Sequence, residues 1–110
     1  MLFRSPRRIV SLVPALTEML FAVGAGPQVV GVSSFDQEPA AVRSLPRVGA
    51  LLDPNTERIL SLRPDLVIVY DTQTDLNAQF ERAGIRVYGY RHASTGALTD
   101  IVAKIGRAHV

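Results

Sequence analysis

Asp53-Pro-Asn-Thr-Glu-Arg-Ile-Leu-Ser-Leu-Arg-Pro-Asp-Leu-Val-Ile-Val-Tyr70 is the stretch that decides the fold. Its first half predicts a short helix. Asp53 can cap the first-turn N–H groups, and Pro54 suits the first helical position, where a missing N–H costs nothing. Ile59, Leu60 and Leu62 give that helix an apolar stripe, with Glu57 and Arg58 towards water. Pro64 stops the helix and biases Arg63 towards extended geometry. The run Leu66–Val69 that follows is continuous and rich in β-branched residues, as in a strand covered on both faces of a parallel sheet.

The same alternation continues on either side. Ile9–Val13 predicts a first strand, and Ala15–Val23 a helix with Leu16, Leu20 and Val23 at helical spacing, closed by Gly24 and Gly26. Val29–Ser33 predicts a second strand. Phe35–Pro39 is a loop, Ala40–Ser44 a short helix, and Leu45–Leu52 an irregular apolar stretch. After the deciding stretch come a helix over Asp75–Ala83 closed by Gly84, a fourth strand over Arg86–Tyr90, and a last helix from Ser94 or Thr95 to about Lys104. Strands separated by helices imply right-handed crossovers and an α/β fold, a Rossmann-like three-layer sandwich around a mostly parallel four-stranded sheet. Ligands of such sheets sit beyond the carboxyl ends of the strands. Those ends are Pro14–Thr17, Ser33–Asp36, Tyr70–Thr74 and Gly89–His92, with Leu45–Leu52 able to fold over them.

Composition narrows the function. The chain has 110 residues, 47% hydrophobic and 20% charged, which is one globular domain at most. Net charge is +2 and the basic residues are scattered along the chain apart from Arg4, Arg7 and Arg8, which argues against a nucleic-acid surface. There is no cysteine, hence no disulfide and no thiolate metal site. No apolar run reaches the ~20 residues that cross a bilayer. Ile9–Val13 is too short for the ~7–15-residue core of a signal peptide.

The search for reactive groups is mostly negative. The turn after the first strand, Val13-Pro-Ala-Leu-Thr17, lacks the glycines of a dinucleotide site. His92 and His109 lack a carboxylate cluster at metal-ligand spacing, and His92 reads as a loop histidine. Ser11, Ser33 and Ser34 have no nucleophile elbow around them. Asp36 and Glu38 read as a solvated loop, and Asp71 and Asp75 as caps of the helix that follows. Tyr88 and Tyr90 share one strand face, so at least one of them reads as packing, whereas Tyr70, at a strand end, is the better candidate to line a pocket.

Three blocks carry a resemblance: Arg8-Ile-Val-Ser-Leu-Val-Pro-Ala-Leu-Thr-Glu-Met-Leu-Phe-Ala-Val-Gly-Ala-Gly26, Val30-Gly-Val-Ser-Ser34 and Glu57-Arg-Ile-Leu-Ser-Leu-Arg-Pro-Asp-Leu-Val-Ile-Val69. In this order and separation they resemble the N-terminal lobe of the iron-siderophore/cobalamin periplasmic binding proteins (class III), above all the vitamin B12 ABC transporter substrate-binding branch. The resemblance runs from Arg7 to Lys104. It implies a two-lobed receptor whose lobes, joined by a long helix, hold the ligand between them. The first-lobe contacts it implies are Pro14, Ala15, Leu16 and Thr17, then Ser34, Phe35 and Asp36, then Gly49, Ala50 and Leu51 (with Leu52 beside them), then Tyr70 and Asp71. It also implies that Glu57 docks arginines of the membrane permease dimer.

The expected activity is therefore substrate binding for an ABC importer, without catalysis and without a resident cofactor. The cargo is cobalamin, a related corrinoid or an iron chelate. A haem or ferric-siderophore receptor is the alternative within the family. A siderophore receptor would want basic residues at the rim, for which Arg47 and Arg91 are the candidates. The alternative of another class is a small cytosolic α/β enzyme or nucleotide-binding domain. The expected setting is a periplasmic or cell-surface monomer with no nucleic-acid partner. Residues 1–104 read as the N-terminal lobe. The tail Ile105-Gly-Arg-Ala-His-Val110 departs from the family and matches the translation of a common sequencing adapter, so it reads as non-native.

Overall fold

A computed structural model describes residues 6–50 and 53–90. The predicted last helix, the tail, Arg91, His92, His109, Leu51 and Leu52 lie outside the described residues. The elements in chain order are β1 (Ile9–Ser11), α1 (Pro14–Ala22), β2 (Val29–Val32), β3 (Gly49–Ala50), β4 (Asp53–Pro54), α2 (Thr56–Ser61), β5 (Leu66–Tyr70), α3 (Thr74–Arg82) and β6 (Arg86–Tyr90). Single 3-10 turns at Gly26–Gln28 and Ala40–Ser44 fill the connections. No described helix is long and apolar enough to cross a membrane.

The main sheet has the order β2-β1-β5-β6, and every pairing in it is parallel. Register places Ile9 beside Leu66 and Leu66 beside Arg86, so the strand starts lie level at one end. The expected α/β architecture is what the chain adopts. Side-chain alternation along β5 explains why its run has no polar residue. Leu66 and Ile68 pack with Leu16 and Leu20 of α1 on one face. Val67 and Val69 pack with Ile59, Leu76 and Phe80 of α2 and α3 on the other. Burying a side chain of this size contributes roughly 1.5–3 kcal/mol, and a central strand collects that on both faces. Tyr88 and Tyr90 both join the α1 face, as their spacing predicts.

Helix α2 departs from its predicted start and end. Asn55, not Asp53, is the N-cap, its side chain accepting from the Arg58 N–H at 3.0 Å. Asp53 and Pro54 instead pair antiparallel with Ala50 and Gly49. That pairing is possible because Gly49 takes φ +94°, and a Cβ there would lie 2.7 Å from the Asp53 carbonyl oxygen. At the other end Arg63 adopts φ 52°, left-handed rather than extended, directly before Pro64. Its N–H donates to the Leu60 carbonyl, so closing the helix end outweighs the preference of a residue before proline. Leu60 is 42% exposed, since a helix of this length turns only Ile59 fully inward.

Helix α3 also starts without the predicted cap. Gln73 stands at the N-cap with no side-chain hydrogen bond, Asp75 lies in the first turn, and the Asp71 N–H is spent on the Tyr90 carbonyl.

Candidate functional site

The carboxyl ends of β1, β2 and β5 surround a hollow of about 470 Å³ lined by Leu12, Pro14, Ser33, Phe35, Ala50, Asp53 and Tyr70. Each residue arrives there for a local reason. Leu12 follows β1, where its N–H still donates to the Ile68 carbonyl, and Pro14 opens α1. Ala50 and Asp53 are the paired residues of β3 and β4. That small hairpin is fastened to the end of β2, since the Ser34 N–H donates to Gly49 O at 2.8 Å and the Val48 N–H to Val32 O at 3.0 Å.

The loop after β2 is the most tightly tied part of the rim. Asp36, 2% exposed, accepts from both the N–H and the hydroxyl of Ser33 through Oδ2, each at 2.9 Å. The Ser33 oxygen in turn accepts from the Phe35 N–H. Arg47 donates from Nη1 to the Ser33 carbonyl at 3.1 Å and to the Asp36 carbonyl. Its guanidinium therefore serves the loop. The result is a fixed turn whose one large apolar side chain, Phe35, is 72% exposed at the lip of the hollow.

Tyr70 forms the facing wall. Its ring meets that of Tyr90 edge to face, centroids 5.9 Å apart. Burial pushes the Tyr70 phenol above its ordinary pKa, and the nearby Tyr90 and Asp36 push the same way, so it stays a neutral phenol.

The sequence-derived site residues divide into distinct groups. Pro14, Phe35, Ala50 and Tyr70 line the hollow. Ala15 and Ser34 are exposed beside it, and Gly49 and Asp71 are half-buried in the adjoining backbone. Leu16 and Thr17 correct the expectation for the first loop, since both are fully buried beneath it. Leu16 belongs to the α1 core, and the Thr17 hydroxyl donates to Ser11 Oγ at 2.8 Å. Asp36 is likewise turned inward as the clamp of its own loop, and is not a solvated loop residue. Leu51 is outside the described residues. Glu57 is exposed in the first turn of α2. Leu12, Ser33 and Asp53 line the hollow without having been singled out for it. For Leu12 and Ser33 the available signal was their position at strand ends, whereas Asp53 had read as a helix cap.

Among the described residues no group of three or more His, Asp or Glu side chains could hold a metal ion. The hollow is an apolar basin between two aromatic walls. It can hold a bulky planar or partly apolar molecule by contact and shape.

A family model described as periplasmic binding protein matches residues 9–109. An uncharacterized ABC transporter substrate-binding lipoprotein of Bacillus subtilis is 39% identical over 76% of this chain and 28% of its own length. The solved periplasmic vitamin B12 binding protein of Vibrio cholerae superposes with a TM-score of 0.80 at 27% identity, over 96% of this chain and 46% of that one. A periplasmic heme binding protein from Pseudomonas aeruginosa superposes with a TM-score of 0.78 at 31% identity, over 94% and 41%. The chain spans less than half the length of each.

Proposed function

Because this chain belongs to the periplasmic binding protein family, we propose that it forms one wall of a two-lobed receptor that carries cobalamin or a related corrinoid to an ABC importer. The observation that carries this reading is Phe35, held out by a pinned turn over an apolar hollow and faced by Tyr70. Exposing a large aromatic costs hydration, and fixing the loop beneath it lowers the ordering cost when a ligand covers it. The receptor works outside the cytoplasmic membrane, as a periplasmic or surface protein. Its second wall is a further lobe.

One feature favours a corrinoid over an anionic haem or ferric siderophore within the family. Arg47, in the loop network beside the hollow, already holds two backbone carbonyls, while Asp53 lines the basin. An anionic chelate would meet a carboxylate there. The Tyr70 ring, set edge to face on Tyr90, offers the hollow an aromatic packing surface. Glu57, exposed where α2 begins at the rim, is the group that meets the permease dimer. No step in this work makes or breaks a bond.

Calorimetric titration of the complete receptor with cyanocobalamin, haem and a ferric siderophore tests the reading. Saturable heat with cyanocobalamin is expected, along with loss of at least about tenfold in affinity for Phe35→Ala, about 1.4 kcal/mol. Tight binding of haem or siderophore instead would move the cargo to the other branch. No binding of any of the three would end the assignment.

A further inference from the structure

One carboxylate at the hollow is released from the task its place in the sequence suggests. Asp53 stands where a helix cap is expected, but Asn55 caps α2 and Asp53 is drawn into β4 beside Ala50. Its side chain is exposed, lines the hollow, and meets no donor or cation among the described residues. The backbone around it is tied on both sides, since the Asn55 N–H donates to the Val48 carbonyl and the Ser34 N–H to the Gly49 carbonyl, each at 2.8 Å. Two further charges near this end are already engaged. Asp36 is buried against Ser33, and the Arg47 guanidinium binds carbonyls of that same loop, so the pair largely offset each other. Arg8 and Arg86 stand at strand starts, away from the strand ends that form the hollow. The described lining therefore carries a single net charge, and it is negative.

The neighbours of Asp53 decide what that charge does. Leu12, Pro14, Ala50 and the rings of Phe35 and Tyr70 are apolar. A cargo large enough to cover them also takes water from Asp53. A desolvated carboxylate weakens binding unless the cargo brings positive charge to it. The rings favour the same sign, because an aromatic face is negative. We infer that Asp53 makes the hollow select its cargo by charge, taking the more cationic of two forms of similar size. The inference rests on the corrinoid reading and sharpens it. Cyanide on cobalt is an anion and water is neutral, so the aqua corrinoid carries one more positive charge than the cyano corrinoid. The aqua form is the one preferred.

Calorimetric titration of the complete receptor with aquacobalamin and with cyanocobalamin tests it, slightly below neutral pH, where the cobalt-bound water keeps its protons. The parent should bind the aqua form at least about threefold tighter, the scale of one charge pair partly screened by water. That ratio should shrink towards one in roughly 1 M salt, where the Debye length is about 3 Å. Asp53→Asn should bring the ratio to about one at low salt as well, while Asp53→Glu keeps it. The β3–β4 pairing is made by backbone groups, so both variants should match the parent by circular dichroism. Should Asp53→Asn fail to fold, Asp53→Ser carries the same comparison. Equal affinities in the parent, or a preference that survives the loss of the carboxylate, would overturn the inference and leave the cargo reading standing. The second result would point to a side chain displacing the cobalt-bound water. Binding of neither corrinoid would end the cargo reading and this inference with it.

Discussion

The loop after β1 and the loop after β2 leave adjacent strands at the same end of one sheet, yet their side chains go opposite ways. After β1 the chain turns through Pro14 and buries Leu16 and Thr17 on the inner face of the helix it starts. After β2 it folds back on Asp36 and turns Phe35 out. Both loops are anchored by a serine hydroxyl: Ser11 receives the Thr17 hydroxyl, and Ser33 bridges Asp36 and the Phe35 N–H. The same device thus serves footing in one loop and display in the other. A rim that grips by shape needs both, because an aromatic held on a yielding base would lose binding energy to ordering.

Substitutions break the comparison in order of size. Leu16→Ala empties a fully buried position between α1 and the sheet, and should cost about 2–5 kcal/mol in urea denaturation. Asp36→Ala strips the Ser33 N–H of its acceptor in a buried turn, and should cost about 1–3 kcal/mol. Both would refute the picture of a braced rim if stability stayed within 0.5 kcal/mol or so of the parent. Thr17→Val keeps shape and removes the buried hydroxyl that reaches Ser11 Oγ and the Val13 carbonyl, for an expected loss of about 1 kcal/mol. Phe35→Ala sits at the small end: stability should stay within about 0.5 kcal/mol while cargo binding weakens, which separates display from footing.

Tyr70 adds a pH test on the opposite wall. Its folded pKa is raised, so the unfolded chain gives up this proton first as pH climbs. The stability it contributes is intact below its unfolded pKa, about 10, and drains away as pH rises towards its folded value. Tyr70→Phe should flatten that decline, and an ultraviolet phenolate titration should show one late tyrosine in the parent alone.

Much of the layout was legible before any coordinates. A strand buried on both faces has to be apolar throughout, so Leu66–Tyr70 announced itself, and Arg86–Tyr90 matched its predicted bounds. Glycine at helix ends was equally plain: Gly24 and Gly84 both take positive φ. What stayed hidden depends on partners distant in space. Asp53 and Pro54 have the local chemistry of a helix start, but pairing with Gly49 and Ala50 draws them into β4 and hands the cap to Asn55. Thr17 and Asp36 are polar, and polar residues in loops read as solvent-facing. Only the hydroxyl and backbone groups waiting beneath them explain their burial. Arg47 read as a rim cation for the same reason, until its two carbonyl partners were seen.

The sheet order has one more consequence, for how such a chain comes to be made. Strand β1 is synthesised first, yet it sits inside the sheet, between β2 and β5. A ribosome-bound chain that has emerged only as far as Leu45 owns β1, α1 and β2 but not the neighbour that covers the other edge of β1. Until Leu66–Tyr70 appears, the middle of the future sheet is an open edge, and assembly has to wait on a contact distant in sequence. Slow translation between those two points would prolong the interval in which that edge can pair with the wrong neighbour.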